Sequence, residues 1–343
     1  VAGSFRSIDF ALSSMSNSHI QTVAVLTQYN ARSLNEHLSS SKWWNFGRKQ
    51  GGLFLFTPTV TADNSDWYRG TADAMYQNID FLKRRHEPYV IISSGDCVYK
   101  LDFNRVLDFH IEKKSDITVV CKDMMYNDDV SRFGVVRMDD ESRITEFDEK
   151  PIEALSNTIS TGIYVIRRRQ LIELLEAAAE ENRFDFVNDI LVRYKNVKKI
   201  YGYKINSYWN NIADIDAYFK TNMDFLRPDV RSYFFREEPT ICSKVDDLPP
   251  AKFNPGSDIS NSLVSSGCII NGSVEDSVLF KQVFVGKNTT VKNCVLLNDV
   301  YIGDNVHLEN CIVESRGTIN PNTCYCGEDG VMIVKEKNVR YVI

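Results

Sequence analysis

The chain has no Cys-x-x-Cys pair and no Cys/His cluster at zinc spacing, so ligand spacing alone gives no structural metal site. It has no apolar run near the roughly 20 residues that cross a membrane, and no signal peptide is visible at its start. Positive charge is in short supply. Forty Lys and Arg against 46 Asp and Glu leave a net −6, without the basic footprint of a nucleic-acid binder. The eight cysteines are scattered, at 97, 121, 242, 268, 294, 311, 324 and 326. Without an export signal they are expected as free thiols in a reducing cytoplasm. Cys324-Tyr-Cys326 is the one close pair and reads as incidental.

What is present is ordinary globular composition, 43% hydrophobic and 25% charged over 343 residues, a length that suggests about two domains. The first two thirds alternate apolar strands with helical patterns. Gln21–Thr27, Pro88–Gly95 and Asp116–Cys121 read as strands; Ala31–Leu38, Arg105–Lys113 and Gln170–Asn182 read as helices. This alternation predicts an α/β domain over residues 1–226, with a largely parallel sheet and helices on both faces. Ligands bind such sheets beyond the carboxyl ends of the strands, and Ser94-Gly95-Asp96 follows one such end. Residues 227–254 read as a linker or irregular arm. Five of the nine prolines, at 228, 239, 249, 250 and 255, fall in or beside it, and no period holds across it.

From 255 to 343 the chain repeats itself. Val274-Glu-Asp-Ser-Val278, Val291-Lys-Asn-Cys-Val295 and Leu308-Glu-Asn-Cys-Ile312 align at a constant step, and Val285, Ile302 and Ile319 form a second column. Apolar marks about six residues apart in short β-branched segments predict a parallel β-helix of hexapeptide turns, three short sides per coil. A β-sandwich is the alternative, but it needs hairpin turns of Asn-Gly type, and Asn271-Gly272 is the only Asn-Gly here. The register stacks Ser277, Cys294 and Cys311, near enough to cross-link, although small buried thiols are expected.

Four clusters carry candidate chemistry, each with a plainer reading beside it. In Trp67–Asn78, Thr71 is placed to cap a helix with Met75, Ile79 and Leu82 on its apolar face, and helix N-termini suit phosphate. A capped surface helix explains the pattern as well. In Ser94–Lys100, Asp96 at a strand end is a typical magnesium ligand of nucleotide chemistry, or a turn residue. In Glu146–Pro151, Lys150 offers a point charge for a sugar phosphate, or is part of a solvated charge run. In Asp185–Asp189 and Tyr208–Asn211 the aromatic rings suit either a sugar face or the core.

The order of the motifs says more than any one of them. Ser7-Ile-Asp-Phe-Ala-Leu-Ser, Val25-Leu-Thr-Gln-Tyr, Trp67-Tyr-Arg-Gly-Thr-Ala-Asp-Ala, Ser94-Gly-Asp, Ser131-Arg-Phe-Gly134, Glu149-Lys-Pro151, Ser160-Thr-Gly-Ile-Tyr164, Asp185-Phe186 and Asp216-Ala-Tyr218 follow one another. Together they resemble the bacterial glucose-1-phosphate adenylyltransferases of glycogen synthesis over essentially the whole chain, which implies a nucleotidyltransferase domain of Rossmann-like type with a left-handed β-helix behind it. That family makes ADP-glucose and pyrophosphate from ATP and glucose 1-phosphate with magnesium. The resemblance implies that Tyr68, Gly134, Glu149, Lys150 and Ser160 contact the sugar phosphate. It implies that Asp185 and Trp209 line the sugar pocket, and that Asp96 holds Mg2+. The family's glycine-rich phosphate loop would fall upstream of Val1.

The departures point elsewhere. The family's Tyr-Trp-Arg-Asp-Val-Gly reads Tyr208-Trp-Asn-Asn-Ile-Ala213 here, so the expected second metal carboxylate is Asn211 and its basic neighbour is Asn210. Asn188 stands for a usual Lys, and Cys97 for the His of Ser-Gly-Asp-His. A neutral amide is a poor ligand for a hard dication, so magnesium binding is expected to be weakened. The chain is closest to the non-catalytic, GlgD-type regulatory subunit. It would form a heterotetramer with the catalytic subunit, with Ser260–Val313 as the nominated interface, and a homo-oligomer is the alternative when it is alone. The sugar-phosphate pocket would be a vestige or would hold a sugar-phosphate or nucleotide effector. An anionic activator would bind near Arg6, Arg32, Lys42 and Arg48. Neither nucleic acid nor membrane is an expected partner. The alternative is an active magnesium-dependent adenylyltransferase with an unorthodox metal site. A third reading, a hexapeptide acyltransferase, would need a catalytic histidine, and His307 is the only one in the repeat region.

Overall fold

The structure is a computed structural model describing residues 1–47, 51–59, 67–125 and 128–337. The chain forms two compact units: Ser14–Ser94 with Leu101–Ser207, and Val1–Ser13 with Gly95–Lys100 and Tyr208–Ile343. None of the described helices is long and apolar enough to cross a membrane.

The first of these units is built on a six-stranded sheet. Its strands run Ile144–Glu149, Gly134–Met138, Thr158–Arg167, Ile117–Asp123 and Ile200–Lys204, with Tyr89–Ser93 also paired to Thr158–Arg167. The β-branched run Thr158–Arg167 buries Ile159, Ile163, Val165 and Ile166 completely, as a central strand covered on both faces must. Helix Arg168–Glu180 covers it with Leu171, Leu174, Leu175 and Ala178, spaced to form one apolar stripe.

This sheet is more mixed than strand–helix alternation predicts. Ile117–Asp123 pairs in parallel with Ile200–Lys204, but antiparallel with Thr158–Arg167. Gly134–Met138 and Ile144–Glu149 also pair antiparallel, as strands joined by so short a turn must. A separate two-stranded parallel pair, Thr22–Leu26 with Gly52–Phe56, has helix Ala31–Leu38 in its crossover.

In the second unit, strands Cys97–Tyr99 and Trp209–Asn211 pair antiparallel. Phe10, Phe225 and Phe234 are fully buried in one aromatic cluster, Phe10 meeting Phe234 edge-on with ring centroids 5.4 Å apart. The expected linker 227–254 holds a helix, Pro228–Phe235, that supplies Phe234. Pro228 sits in the helix's first turn, where its missing N–H has no partner to lose. A proline taken for a break is here a start.

Three five-stranded parallel sheets form the remainder, the three sides of a β-helix. Val274, Val291 and Leu308 pair in register, as do Val278, Val295 and Ile312, and Val285, Ile302 and Ile319. These are the columns the repeat predicts; the first and third form a continuous core with Cys268, Cys294 and Cys311, while Val278, Val295 and Ile312 pack in a second cluster with Leu226 and Phe280. The Cys294 N–H donates to Ser277 Oγ at 3.0 Å, one 17-residue coil earlier. All eight cysteines are free thiols. One turn is shorter: Lys252 pairs with Ile269 at the 17-residue step, Asp258, Leu263 and Ile269 pair with residues 15 further on, and the 17-residue step resumes at Ser273.

Leu308 is fully buried in the β-helix core, whereas Lys292, on the adjacent strand, is exposed. Leu308→Ala should therefore cost about 2–5 kcal/mol in chemical denaturation followed through the β-helix, while Lys292→Ala stays within about 0.5 kcal/mol of wild type.

Candidate functional site

Six of the predicted binding residues, Tyr68, Gly134, Glu149, Lys150, Ser160 and Asp185, fall in the unit that holds the six-stranded sheet. Gly134 pairs with Glu149 across the hairpin. A Cβ at Gly134 would lie 2.8 Å from Phe147 Cε1 and 2.9 Å from Glu149 Oε2, so only glycine lets the carboxylate sit there. Burial raises the Glu149 pKa; Lys150 lowers it and Asp185 raises it further. The Lys150 ammonium stands 3.9 Å from Glu149 Oε1 and is largely exposed, on a residue with φ of 51°. Ser160 is buried, its hydroxyl donating to Tyr164 Oη at 3.3 Å. Asp185 Oδ1 accepts the Asn188 N–H at 2.7 Å.

Tyr164 was not singled out from the sequence. Burial pushes its phenol pKa up, Ser160 opposes that, and the charges of Glu149 and Asp185 add to it, which ties the ring to both carboxylates. Ser160 and Tyr164 flank Gly162, whose φ is 75° and opposite which the strand register shifts, so no simple alternation in the sequence marks the pair. The cluster offers a half-buried acceptor, a mobile cation and hydroxyls, a set suited to a sugar phosphate.

Tyr68 belongs to the same unit, with its hydroxyl accepting from Asn78 Nδ2 at 3.0 Å and its N–H donating to Gln28 Oε1 at 2.7 Å. Thr71 does not cap the helix that follows. Gly70 is the capping residue, and Thr71 Oγ1 accepts the Phe186 N–H at 3.0 Å. A Cβ at Gly70 would lie 2.3 Å from the Phe184 carbonyl oxygen, so glycine is required by close approach. The expected helix breaks into Thr71–Gln77 and Ile79–Lys83, though Met75, Ile79 and Leu82 pack on the core as predicted. Arg69 and Asp73, also passed over, form a bidentate pair, with the guanidinium 3.8 Å from the Phe184 ring centroid. Burial opposes ionisation of Asp73, but the Arg69 hydrogen bonds outweigh it and hold its pKa below the usual range.

Asp96, Trp209 and Asn211 fall in the other unit. The antiparallel pair sets Asn211 opposite Cys97 and Trp209 opposite Tyr99, and the Ile212 N–H donates to the Asp96 carbonyl at 2.9 Å. The Cys97 thiol donates to Asp96 Oδ1 at 3.4 Å, and Asn211 Nδ2 donates to Cys97 Sγ at 3.6 Å. Asn211 Oδ1 accepts the Ala213 N–H at 2.9 Å. Both ends of the amide are thus in use. Burial, then the Asp96 charge, lifts the Cys97 thiol well above its ordinary pKa, so it stays protonated. Asn210 Nδ2 donates to Tyr208 Oη at 2.7 Å and to Asp224 Oδ2 at 3.2 Å, while the Tyr208 hydroxyl donates to Asp224 at 2.7 Å. Trp209 is buried.

Residues 1–227 match the family described as Nucleotidyl transferase, and 249–334 the one described as GlmU-like, C-terminal hexapeptide. The chain is 39% identical over 290 residues to the glucose-1-phosphate adenylyltransferase of Clostridium acetobutylicum, covering 84% of this chain and 76% of that protein. The protein of the same name from Clostridium novyi is 38% identical over 290 residues, with the same coverage. That of Bacillus subtilis is 36% identical over 291 residues, again 84% and 76%. The chain belongs to the glucose-1-phosphate adenylyltransferase family.

Members of the glucose-1-phosphate adenylyltransferase family are expected to use magnesium, a hard cation that takes oxygen ligands. Beside Asp96 this chain offers a protonated thiol and an amide oxygen already engaged by Ala213. One carboxylate with those neighbours fits magnesium poorly. Of the residues nominated for an anionic activator, Arg32 pairs with Glu36 at 3.7 Å and Lys42 stands 4.9 Å from the Trp43 ring centroid. Arg6 lies in the other unit, its N–H donating to Asp9 Oδ2 at 2.8 Å, and Arg48 lies outside the described residues.

The causes of the Glu149 shift set a test. In a carbon-13 NMR titration, Asp185→Asn should lower the Glu149 pKa and Lys150→Met should raise it; movement of both in one direction would refute the arrangement.

Proposed function

We propose that this chain is a regulatory subunit, catalytically weak or inactive, of glucose-1-phosphate adenylyltransferase in glycogen synthesis. It would join the catalytic homologue that makes ADP-glucose and pyrophosphate from ATP and glucose 1-phosphate, and raise or tune its rate. The observation that carries this reading is Asn211. It brings no charge, its oxygen is committed to the Ala213 N–H, and its amide is committed to Cys97. Phosphoryl-transfer sites work by positioning and by neutralising developing charge, so removing a metal carboxylate acts on the main catalytic contribution. The cluster around Glu149, Lys150 and Ser160 is then a binding site without turnover, suited to a sugar-phosphate or nucleotide effector. Coupling of this kind between subunits is typically about 1–3 kcal/mol.

For the partner we propose the catalytic homologue, seated on the β-helix within Ser260–Val313. Along one side of the coils, Ile269, Phe284 and Tyr301 face outward on adjacent strands, and the two rings stack 4.7 Å apart at 5°. An outward apolar ladder beside polar neighbours suits a subunit contact. A second reading, an active enzyme, is favoured by the intact Glu149–Lys150–Ser160–Asp185 set and by the names of the relatives.

ADP-glucose synthesis by this chain alone, by the catalytic homologue alone and by the mixture separates the two. The proposal expects no turnover alone and a raised rate in the mixture; robust magnesium-dependent turnover alone would overturn it. Asn211→Asp with Asn210→Arg should raise the activity of this chain by about 100-fold, the order of one restored electrostatic stabiliser. Phe284→Glu with Tyr301→Glu should weaken association with the homologue by about 100-fold in sedimentation while leaving the single chain folded.

A further inference from the structure

The β-helix assembles a set of side chains that sequence spacing hides. Strands His307–Glu309 and Cys324–Cys326 run parallel, with His307 beside Cys324, Leu308 beside Tyr325 and Glu309 beside Cys326. Leu308 and Tyr325 turn toward the core. Strand side chains alternate, so the four flanking residues all face outward, at the corners of a rectangle about 4.8 Å by 7 Å. Their tips converge further. His307 Nε2 lies 3.5 Å from Glu309 Oε2, and Cys324 Sγ lies 3.6 Å from Cys326 Sγ. Ligand atoms of His307, Glu309 and Cys326 all lie within 4.8 Å of one another.

The His307–Glu309 and Cys324–Cys326 separations match two edges of a coordination tetrahedron; Cys324 Sγ lies outside the three converging atoms and would join them by a change of rotamer. Bonds of about 2.3 Å put two thiolates on one tetrahedral zinc roughly 3.8 Å apart, and bonds of about 2.0–2.2 Å put a ring nitrogen and a carboxylate oxygen roughly 3.4 Å apart. Two sulfurs, an imidazole and one carboxylate select a soft or borderline ion over magnesium or calcium. A disulfide between Cys324 and Cys326 is the less fitting use of the pair. Residues i and i+2 of an extended strand have Cα atoms about 6.6–7 Å apart, at the outer limit for a disulfide.

We propose that His307, Glu309, Cys324 and Cys326 bind one thiophilic divalent cation of the zinc class. Among the described residues, strand Cys324–Cys326 is the last of its sheet, and the ion would tie its coil to the one before it.

The test uses the full chain, reduced and stripped with a chelator, with Co2+ as the probe. One equivalent should give the intense visible absorption of tetrahedral cobalt together with thiolate-to-cobalt charge transfer, and Zn2+ should displace it. Cys326→Ser should abolish the charge-transfer band. Cys324→Ser and His307→Ala should weaken it, while Asp96→Asn and Cys242→Ser leave it unchanged. Zn2+ should also raise the melting temperature of the wild type and not of Cys326→Ser, whose metal-free melting should match the wild type. Absence of thiolate charge transfer in the reduced wild type, or a band undiminished by Cys326→Ser, would overturn the proposal.

Discussion

Everything distinctive about this chain depends on one short ladder, the antiparallel pairing of Cys97–Tyr99 with Trp209–Asn211. It joins segments far apart in sequence and draws Gly95–Lys100 into the unit that carries the C-terminal half. Three residue pairs would not hold alone. Val98 is fully buried among Phe10, Phe225 and Phe234, and the Lys100 ammonium donates to the carbonyls of Tyr233 and Glu237 at 2.6 and 2.7 Å. The pairing also fixes which side chains stand beside Asp96, the Cys97 thiol directly and the Asn211 amide through it.

The chain places its donors unevenly. Where the family needs hard oxygen ligands, it offers one carboxylate, a protonated thiol and a committed amide. At the end of the solenoid, where no family chemistry is expected, it gathers sulfur and nitrogen. The two sets call for different ions, because hardness follows ligand atoms and not overall charge.

The periodic parts were legible in the sequence. Helix Ala31–Leu38 has the bounds its pattern predicts, and the columns through Val291 and Val285 pair in the predicted register. The mixed sheet was not, since antiparallel pairing depends on turn length and on a central strand that no local pattern announces. Helix Pro228–Phe235 was hidden by counting prolines without asking where in a helix a proline sits. Glu149, Lys150, Ser160 and Asp185 are nominated as candidates only through the order of the motifs, because each alone passes for a solvated charge or a turn. The His307–Cys326 grouping was within reach. The 17-residue step relates 307 to 324 and 309 to 326, but a search for ligands close in sequence passes over ligands one coil apart.

The corners of the solenoid carry asparagines in the left-handed region, among them Asn288, Asn305 and Asn322 with φ of 53°, 57° and 60°. Their amides form a chain: Asn288 Nδ2 donates to Asn305 Oδ1 at 3.3 Å, and Asn305 Nδ2 to Asn322 Oδ1 at 3.1 Å. Every rung gives its proton in the same direction, so the stack has a head and a tail. Hydrolysis of the Asn305 amide to a carboxylate, the commonest chemical ageing of asparagine, would leave an oxygen able to accept from Asn288 and nothing able to donate to Asn322. Damage at any rung therefore cuts the chain on one side only, and the side it cuts is always the one nearer the end of the solenoid.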